Sequence, residues 1–135
     1  MSDLAADLDL IRDAAEAAGR LALAERDAGL KVWSKSGGSP VTSADMAVDQ
    51  LLKDTLLSAR PDHGWLSEET ADTTDRLSHR RIFVVDPIDG TVAYMKGKPW
   101  WCIPIAVVED GHPVAAVIHA PALGETFTAT LGGGA

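Results

Sequence analysis

The chain has 135 residues, the size of one domain, and its 46% hydrophobic and 24% charged residues are typical of a globular protein and exclude extensive disorder. Twelve basic against 20 acidic residues give a formal net charge of −8, which argues against a nucleic-acid polymer or an anionic membrane as a general partner. A single cysteine, Cys102, excludes an internal disulfide framework, and no apolar run approaches the roughly 18–20 residues of a membrane span, so we expect a cytoplasmic protein.

Two helices are predicted in the first half of the chain. The first begins after a cap at Ser2 and ends near Gly29. The second begins near Thr42 or Ser43, where residues 42–45 resemble a capping box closed by Asp45. The apolar stripes that predict them are Leu4, Leu8, Ile11, Ala15, Ala18 and Ala22, then Ala44, Ala47, Val48, Leu51, Leu52 and Leu56.

The remaining segments read as a loop and a series of strands. Residues 34–40 are rich in glycine, serine and proline, which predicts a loop of the kind that forms mobile lids, with Lys35 as its functional candidate. The continuously apolar segment 81–85 predicts a strand buried on both faces. A turn at 110–113 predicts a hairpin. The predicted strands are 65–67, 81–85, 103–109, 114–120 and 126–130.

The sequence Asp-Pro-Ile-Asp-Gly-Thr at 86–91 follows the predicted strand 81–85 directly. Pro87 ends the ladder pairing, so two carboxylates come just past the carboxyl end of a strand, where sheet-based ligand sites tend to lie. Such acids are costly unless a cation neutralises them, and oxygen ligands favour Mg²⁺. Thr91 can start a short helix. An Asp-Pro turn followed by a helix cap explains the same residues, so both interpretations stay open.

Glu68 and Glu69 follow the predicted strand 65–67. In extended backbone, adjacent side chains point to opposite faces, so we expect at most one of the pair to face a given site; two solvated surface acids are the alternative. Other motifs are excluded: the acids at 86 and 89 have the wrong spacing for a haloacid dehalogenase, and Walker A, EF-hand and zinc spacings are absent.

Taken together, these motifs resemble the inositol monophosphatase family of Mg²⁺-dependent, lithium-sensitive phosphatases. The hexapeptide at 86–91 matches the family signature, Val-Thr-Ser-Ala-Asp at 41–45 its Val-Thr-x-x-Asp element, and Leu-Ser-Glu-Glu at 66–69 its Glu-Glu element. Residues 114–135 resemble the strands that follow. Serine before the two glutamates resembles the CysQ-type 3′(2′),5′-bisphosphate nucleotidases. Val92 stands where those enzymes often carry Lys or Arg, so inositol monophosphatase and histidinol phosphatase activities stay open.

The resemblance implies Mg²⁺ as the cofactor and a small phosphorylated molecule as the substrate. Glu68, Asp86 and the backbone carbonyl of Ile88 would bind one Mg²⁺, and Asp86 with Asp89 a second. A homodimer is compatible with the family. Metal ions also explain how an acidic chain can bind a polyanion, because they invert the local potential.

The same resemblance implies catalytic and substrate-binding roles. Asp45, Thr91 and Glu68 would be catalytic, with the first two orienting the attacking water, although Asp45 could instead serve only as a helix cap. Lys35 would lie near the site. The substrate-binding residues would be Glu68, Ile88, Asp89, Gly90 and Thr91, with the amides of Gly90 and Thr91 on the phosphate oxygens.

The resemblance also predicts the fold class. It implies an α+β arrangement of paired helices on a largely antiparallel sheet, the amino-terminal half of the αβαβα sugar-phosphatase fold. Family members are about twice as long and carry a Trp-Asp-x-Ala motif in their second half; this sequence contains no Trp-Asp pair. We therefore expect 1–135 to be the amino-terminal metal-binding domain. The alternatives are a metal-binding or dimerising module without turnover, and a purely structural α+β domain.

Overall fold

The computed structural model describes residues 3–35, 37–70 and 74–134. The predicted cap at Ser2 lies outside the described residues. Short 3-10 turns span Thr74–Ser78 and Pro121–Leu123. The helices and strands, in chain order, are α1 (Asp3–Ala28), β1 (Val32–Ser34), β2 (Pro40–Thr42), α2 (Ser43–Ala59), β3 (Gly64–Ser67), β4 (Arg81–Val85), α3 (Thr91–Met95), β5 (Ile103–Glu109), β6 (His112–Ala120) and β7 (Glu125–Thr130).

The central feature is a five-stranded sheet in the order β3-β4-β5-β6-β7. Strands β3 and β4 run parallel, and every other neighbouring pair in this sheet is antiparallel. Helices α1 and α2 pack against each other, and α1 lies across β5 and β6. The predicted α+β class with a largely antiparallel sheet is therefore confirmed.

The core lies between the helices and one face of the sheet. Ile103, Ile105 and Val107 alternate along β5 and are buried on this face. Four of the five buried apolar residues of α1 are alanines, which allow close approach. At Gly19 the approach is tighter still, because a Cβ there would lie 2.8 Å from the Cγ atom of Pro121. The small residues of α1 thus set the distance between helix and sheet.

The opposite face of the sheet is also apolar. Val84 on β4 is only half-buried, so the prediction that segment 81–85 is buried on both faces is wrong among the described residues. On the outer strands of this face Ile118 is 45% exposed and Phe127 58% exposed. Register places Ile118 opposite both Pro104 and Phe127, so these side chains form one continuous surface.

No helix among the described residues has the length and apolarity needed to cross a bilayer.

The largest differences from the predicted elements lie in two segments. Residues 34–40, predicted as a loop, include the ends of a small β1–β2 hairpin, which is closed by the amide of Lys35 donating to the carbonyl of Ser39 at 2.8 Å. Strands of three residues are too short to show a period in sequence. Strand β6 begins at His112 rather than at 114, and Pro113 pairs with Val108 where a bulge shifts the register.

A buried ion cluster joins the elements at the end of the sheet where β3 and β4 begin. Asp7 of α1 is 2% exposed and accepts hydrogen bonds from Arg60 at 2.8 Å and Arg81 at 3.3 Å. His63 lies 3.4 Å from the same carboxylate and stacks on Phe83. One acid from the first helix thereby links the end of α2, the start of β3 and the start of β4.

Replacing this acid is expected to destabilise the fold. Asp7→Ala removes the acceptor shared by two arginines in a low-dielectric site, and we expect the free energy of unfolding to fall by about 3 kcal/mol in urea titrations. The matched control is Asp9→Ala, because Asp9 is exposed on the same helix and pairs only with Arg12 among the described contacts. Its expected effect is within about 0.5 kcal/mol. If the free energy of unfolding fell equally in the two variants, the buried ion cluster would contribute no more to stability than an exposed ion pair.

Candidate active site

The site begins where the parallel strands β3 and β4 end. Ser67 and Val85 are register partners, so the residues that follow them emerge at the same edge of the sheet. The amide of Glu68 donates to the carbonyl of Val85 at 3.2 Å, which fixes Glu68 beside the start of the 86–91 segment. The parallel pairing thus brings together the two acidic segments, which the family resemblance had implied to be neighbours.

The 86–91 segment folds back onto the start of β5. The amide of Asp89 donates to the carbonyl of Cys102 at 2.8 Å, and the amide of Cys102 returns a bond at 3.0 Å. Gly90 adopts φ +90° and packs against the backbone of Trp101, so a side chain here would meet both strain and crowding. Helix α3 then begins at Thr91, as predicted.

Asp45 is fully buried and serves two elements at once. Its Oδ2 accepts from the amide of Thr42 at 2.8 Å and from the Thr42 hydroxyl at 2.7 Å, which closes the predicted capping box of α2. Its Oδ1 accepts from the Thr91 hydroxyl at 3.1 Å. That hydroxyl also lies 3.2 Å from the carbonyl of Ile88. One carboxylate therefore closes the capping box and also bonds Thr91, a residue that lines the adjacent cleft.

The acidic segments surround an open cleft of about 260 Å³, called the acidic cleft below. Both Glu68 and Glu69 line it, so the expectation that at most one of the pair faces a site is wrong. Strand β3 ends at Ser67, and the alternation of extended backbone does not continue into the bend that follows. The residues that line the acidic cleft are Lys35, Ser39, Pro40, Glu68, Glu69, Asp86, Ile88, Asp89, Gly90, Thr91 and Val92.

Glu69 lines the cleft although the sequence assigned it no role. Its side chain is 9% exposed, and one carboxylate oxygen lies 2.9 Å from the ammonium of Lys35. The hydrogen bond to Glu69 raises the pKa of Lys35 above its ordinary value, with smaller contributions from the charges of Glu69, Glu68 and Asp86 and with burial opposing them. The predicted position of Lys35 next to the site agrees with this contact. The pair of adjacent glutamates could have pointed to Glu69, but the alternation of side chains in extended backbone led us to expect only one of the two at the site.

The carboxylates in the cleft repel one another. Burial, followed by the charges of Asp89 and Glu68, raises the pKa of Asp86 to about 6. The thiol of Cys102 lies 3.8 Å from Asp89, and burial together with Asp89 and Asp86 raises its pKa to about 11. Both shifts have the sign expected for acidic groups that are partly buried next to other negative charges.

The donor chemistry fits a hard divalent cation. Glu68, Asp86 and Asp89 offer carboxylate oxygens and Ile88 a carbonyl, which is the ligand class that Mg²⁺ prefers. The raised pKa of Asp86 marks the charge that a cation would neutralise. Among the described residues, however, no group of three or more His, Cys, Asp or Glu side chains is arranged to hold a metal ion as it stands. The oxygen donors share the cleft, and their side chains would have to converge on binding.

Comparison with known proteins decides the family. The model of the inositol monophosphatase family matches residues 3–135. The chain belongs to the inositol monophosphatase family. Its members are phosphatases, and the resemblance noted in the sequence is thereby confirmed. The family is also metal-dependent, which agrees with the oxygen donors of the acidic cleft.

Individual relatives carry different activities. The histidinol-phosphatase of Mycobacterium tuberculosis is 42% identical over 106 residues, which are 78% of this chain and 40% of that protein. The 3′(2′),5′-bisphosphate nucleotidase CysQ of Aggregatibacter actinomycetemcomitans is 38% identical over 106 residues, 77% of this chain and 39% of that protein. The structure of the suppressor protein SuhB from Bartonella henselae superposes with a TM-score of 0.88 at 33% identity, covering 96% of this chain and 50% of that one. The chain thus spans half or less of the length of each of these proteins.

The raised pKa of Asp86 predicts a pH-dependent stability. Because the folded pKa of about 6 exceeds the ordinary value of 3.8, the folded state binds the proton more tightly, and stability from this group is lost as pH rises through 6. The Asp86→Asn variant does not ionise at this position, so it does not lose stability in this way as the pH rises. We expect the melting temperature of the variant minus that of the metal-free wild type to be larger at about pH 7.5 than at about pH 5.

The measurement is thermal unfolding followed by circular dichroism at both pH values. Added Mg²⁺ should raise the melting temperature of the wild type more at the higher pH, where protons no longer compete, and more than that of Asp86→Asn. A difference between the two proteins that does not change with pH would contradict the assigned environment of Asp86.

Proposed function

We propose that this chain is the metal-binding part of a Mg²⁺-dependent phosphomonoesterase. The observation that carries the proposal is the hydrogen bond of 3.1 Å between the Thr91 hydroxyl and the buried Asp45 carboxylate, at the rim of the acidic cleft. A surface turn or a simple helix cap would not require a second hydroxyl on the capping carboxylate. Here the same aspartate closes α2 and reaches into the wall of the cleft.

The arrangement suits activation of a water molecule. Because Thr91 donates its proton to Asp45, its oxygen lone pairs are left to accept a hydrogen bond from water in the cleft. As that water attacks phosphorus, its proton would pass to the Thr91 oxygen, and the Thr91 proton to Asp45. The metal, held by Glu68, Asp86, Asp89 and the Ile88 carbonyl, would supply charge neutralisation at the phosphoryl oxygens and a lowered pKa for the bound water.

The other residues of the cleft would position the substrate. Gly90 and Thr91 line the cleft, and we propose that their amides hold phosphate oxygens. Glu68 would act as both a metal ligand and a catalytic residue, since the bond from its amide to the carbonyl of Val85 holds it beside Asp86. Lys35, whose positive charge is paired with Glu69 in the structure, would contribute that charge to binding of the phosphate.

A 3′,5′-bisphosphorylated adenosine is our first candidate for the substrate. The Leu-Ser-Glu-Glu sequence at 66–69 supports it, as does the identity of 38% with a CysQ nucleotidase. In the structure this serine has a specific place, because the Ser67 hydroxyl accepts a bond from the amide of Glu69 at 3.2 Å. The reaction would release the 3′ phosphate and leave AMP.

A singly phosphorylated substrate, histidinol phosphate or inositol 1-phosphate, is the second candidate. Val92 is exposed at the rim of the acidic cleft, at the position where a cation could bind a second phosphate. Lys35 is the one basic residue among the described residues that line the cleft, and it is paired with Glu69. Identity of 42% with a histidinol-phosphatase supports the same choice.

We also propose that residues 1–135 act as one amino-terminal domain and that the apolar face around Ile118 and Phe127 receives another part of the protein. These two large side chains are about half exposed and are register partners, so they form a contiguous apolar patch of the kind that marks an interaction surface. A metal-binding module without turnover remains the proposal of another class, and it would bind Mg²⁺ without hydrolysing an ester. The homodimer and the cytoplasmic location remain predictions from the sequence.

The Thr91–Asp45 pair can be tested with nearly isosteric changes. Thr91→Val removes the hydroxyl and is expected to lower kcat by about 10²–10⁴-fold, whereas Thr91→Ser, which retains it, should stay within about tenfold of wild type. Asp45→Asn can retain the helix cap through its amide oxygen, so we expect a similar loss of kcat with a small change in melting temperature. If Thr91→Val were as active as Thr91→Ser, the pair would have no part in catalysis.

A substrate panel tests the reaction and separates the two candidates. Phosphate release from adenosine 3′,5′-bisphosphate, histidinol phosphate and inositol 1-phosphate would be measured on the full-length protein with Mg²⁺ and with EDTA. We expect Mg²⁺-dependent release with the highest kcat/KM for the bisphosphate. A preference for a monophosphate would favour the second candidate, and Mg²⁺ binding without release from any ester would favour the module without turnover.

A further inference from the structure

Asp49 is a buried acid that the proposed mechanism does not use. It lies on α2 one turn after Asp45 and is 5% exposed, next to the apolar residues Val48 and Leu52 of the same helix. A buried carboxylate is costly unless its oxygens are hydrogen-bonded, and an apolar residue would fit the neighbouring stripe. A buried carboxylate at this position therefore needs hydrogen-bond donors.

Its partners are two hydroxyls on either side of the glutamate pair. The Ser67 hydroxyl donates to Asp49 Oδ1, and the Thr70 hydroxyl donates to Asp49 Oδ2. Glu68 and Glu69 are the only residues between these two hydroxyls, so one carboxylate holds both ends of the turn that carries the acids into the cleft. The contacts span 18 and 21 positions of the chain.

Each of the two hydroxyls also accepts a hydrogen bond from another group. The Ser67 hydroxyl accepts from the amide of Glu69 at 3.2 Å, and the Thr70 hydroxyl accepts from the Trp65 indole at 3.3 Å. The amide of Glu68 is held separately by the carbonyl of Val85. The backbone on both sides of the glutamates is thus bound to α2 through Asp49 and to β4 directly.

We propose that Asp49 is a positioning residue for Glu68 and Glu69, and that it sets the Mg²⁺ affinity of the acidic cleft without touching metal or substrate. The inference rests on the proposed metal-dependent function. Outer-shell groups of this kind orient the ligands of a metal, and their loss weakens metal binding by about 10–100-fold. Asp49 differs from them in holding the ligands through two hydroxyls and a backbone amide, so its effect depends on Ser67 and Thr70.

The test is calorimetric titration of the intact protein with Mg²⁺. We expect Asp49→Ala to raise the dissociation constant for Mg²⁺ by about 10–100-fold, and kcat to recover when Mg²⁺ is raised to saturation. Asp49→Asn, whose amide can still bond a hydroxyl on each side, should restore affinity to within about tenfold of wild type. The matched control is Asp54→Ala, because Asp54 is exposed on the same helix and is bonded to Gln50.

A double-mutant cycle gives a second readout that general destabilisation would not reproduce. If Asp49 acts through Ser67, adding Ser67→Ala to Asp49→Ala should weaken Mg²⁺ binding no further than the single change does. Should Asp49→Ala not fold, Ser67→Ala and Thr70→Val, which leave α2 unchanged, carry the same expectation. Wild-type affinity in these variants would overturn the role of Asp49. Absence of Mg²⁺ binding by the wild type would instead contradict the proposed function.

Discussion

The parallel pairing of β3 with β4 is the constraint on which the site depends. It brings Glu68 and Asp86 to the same edge of the sheet, because register partners Ser67 and Val85 end the two strands together. The same pairing creates an electrostatic cost, since burial, together with the charges of Asp89 and Glu68 in the same cleft, raises the pKa of Asp86 to about 6. Lys35 offsets part of this cost through Glu69. A hard cation would offset the rest, so the fold and the proposed cofactor follow from one arrangement.

Helix α2 supplies a second layer behind the acids. Asp45 at its start bonds Thr91, and Asp49 one turn later bonds Ser67 and Thr70. Because both carboxylates come from the same face of one helix, the position of α2 sets the Thr91 hydroxyl and the glutamate turn together. A shift of the helix would therefore disturb the proposed nucleophile-activating pair and the proposed metal ligands at once. The capping box, usually a local stabilising device, here also fixes the helix relative to the cleft.

Sequence reasoning was most successful where a pattern is local. Helical spacing predicted α1 and α2, and the apolar segments 81–85 and 103–109 coincide with β4 and β5. It failed where the information is not local. The three-residue strands of the β1–β2 hairpin carry no period, and the orientation of Glu69 depends on where β3 stops. The partners of Asp49 lie too far along the chain for any spacing rule to join them.

The acidic cleft and the apolar sheet face are joined through the start of β5. Asp89 is bonded in both directions to Cys102, the residue that immediately precedes the strand, and Pro104 faces Ile118 on the apolar side. Packing of another part of the protein on that face would restrict the first residues of β5 and, through Cys102, the backbone at Asp89. Small shifts of a carboxylate change metal affinity strongly, since ligand geometry has to be met closely. The cover of the apolar face and the binding of the cation are therefore expected to be energetically coupled, although they involve opposite kinds of surface.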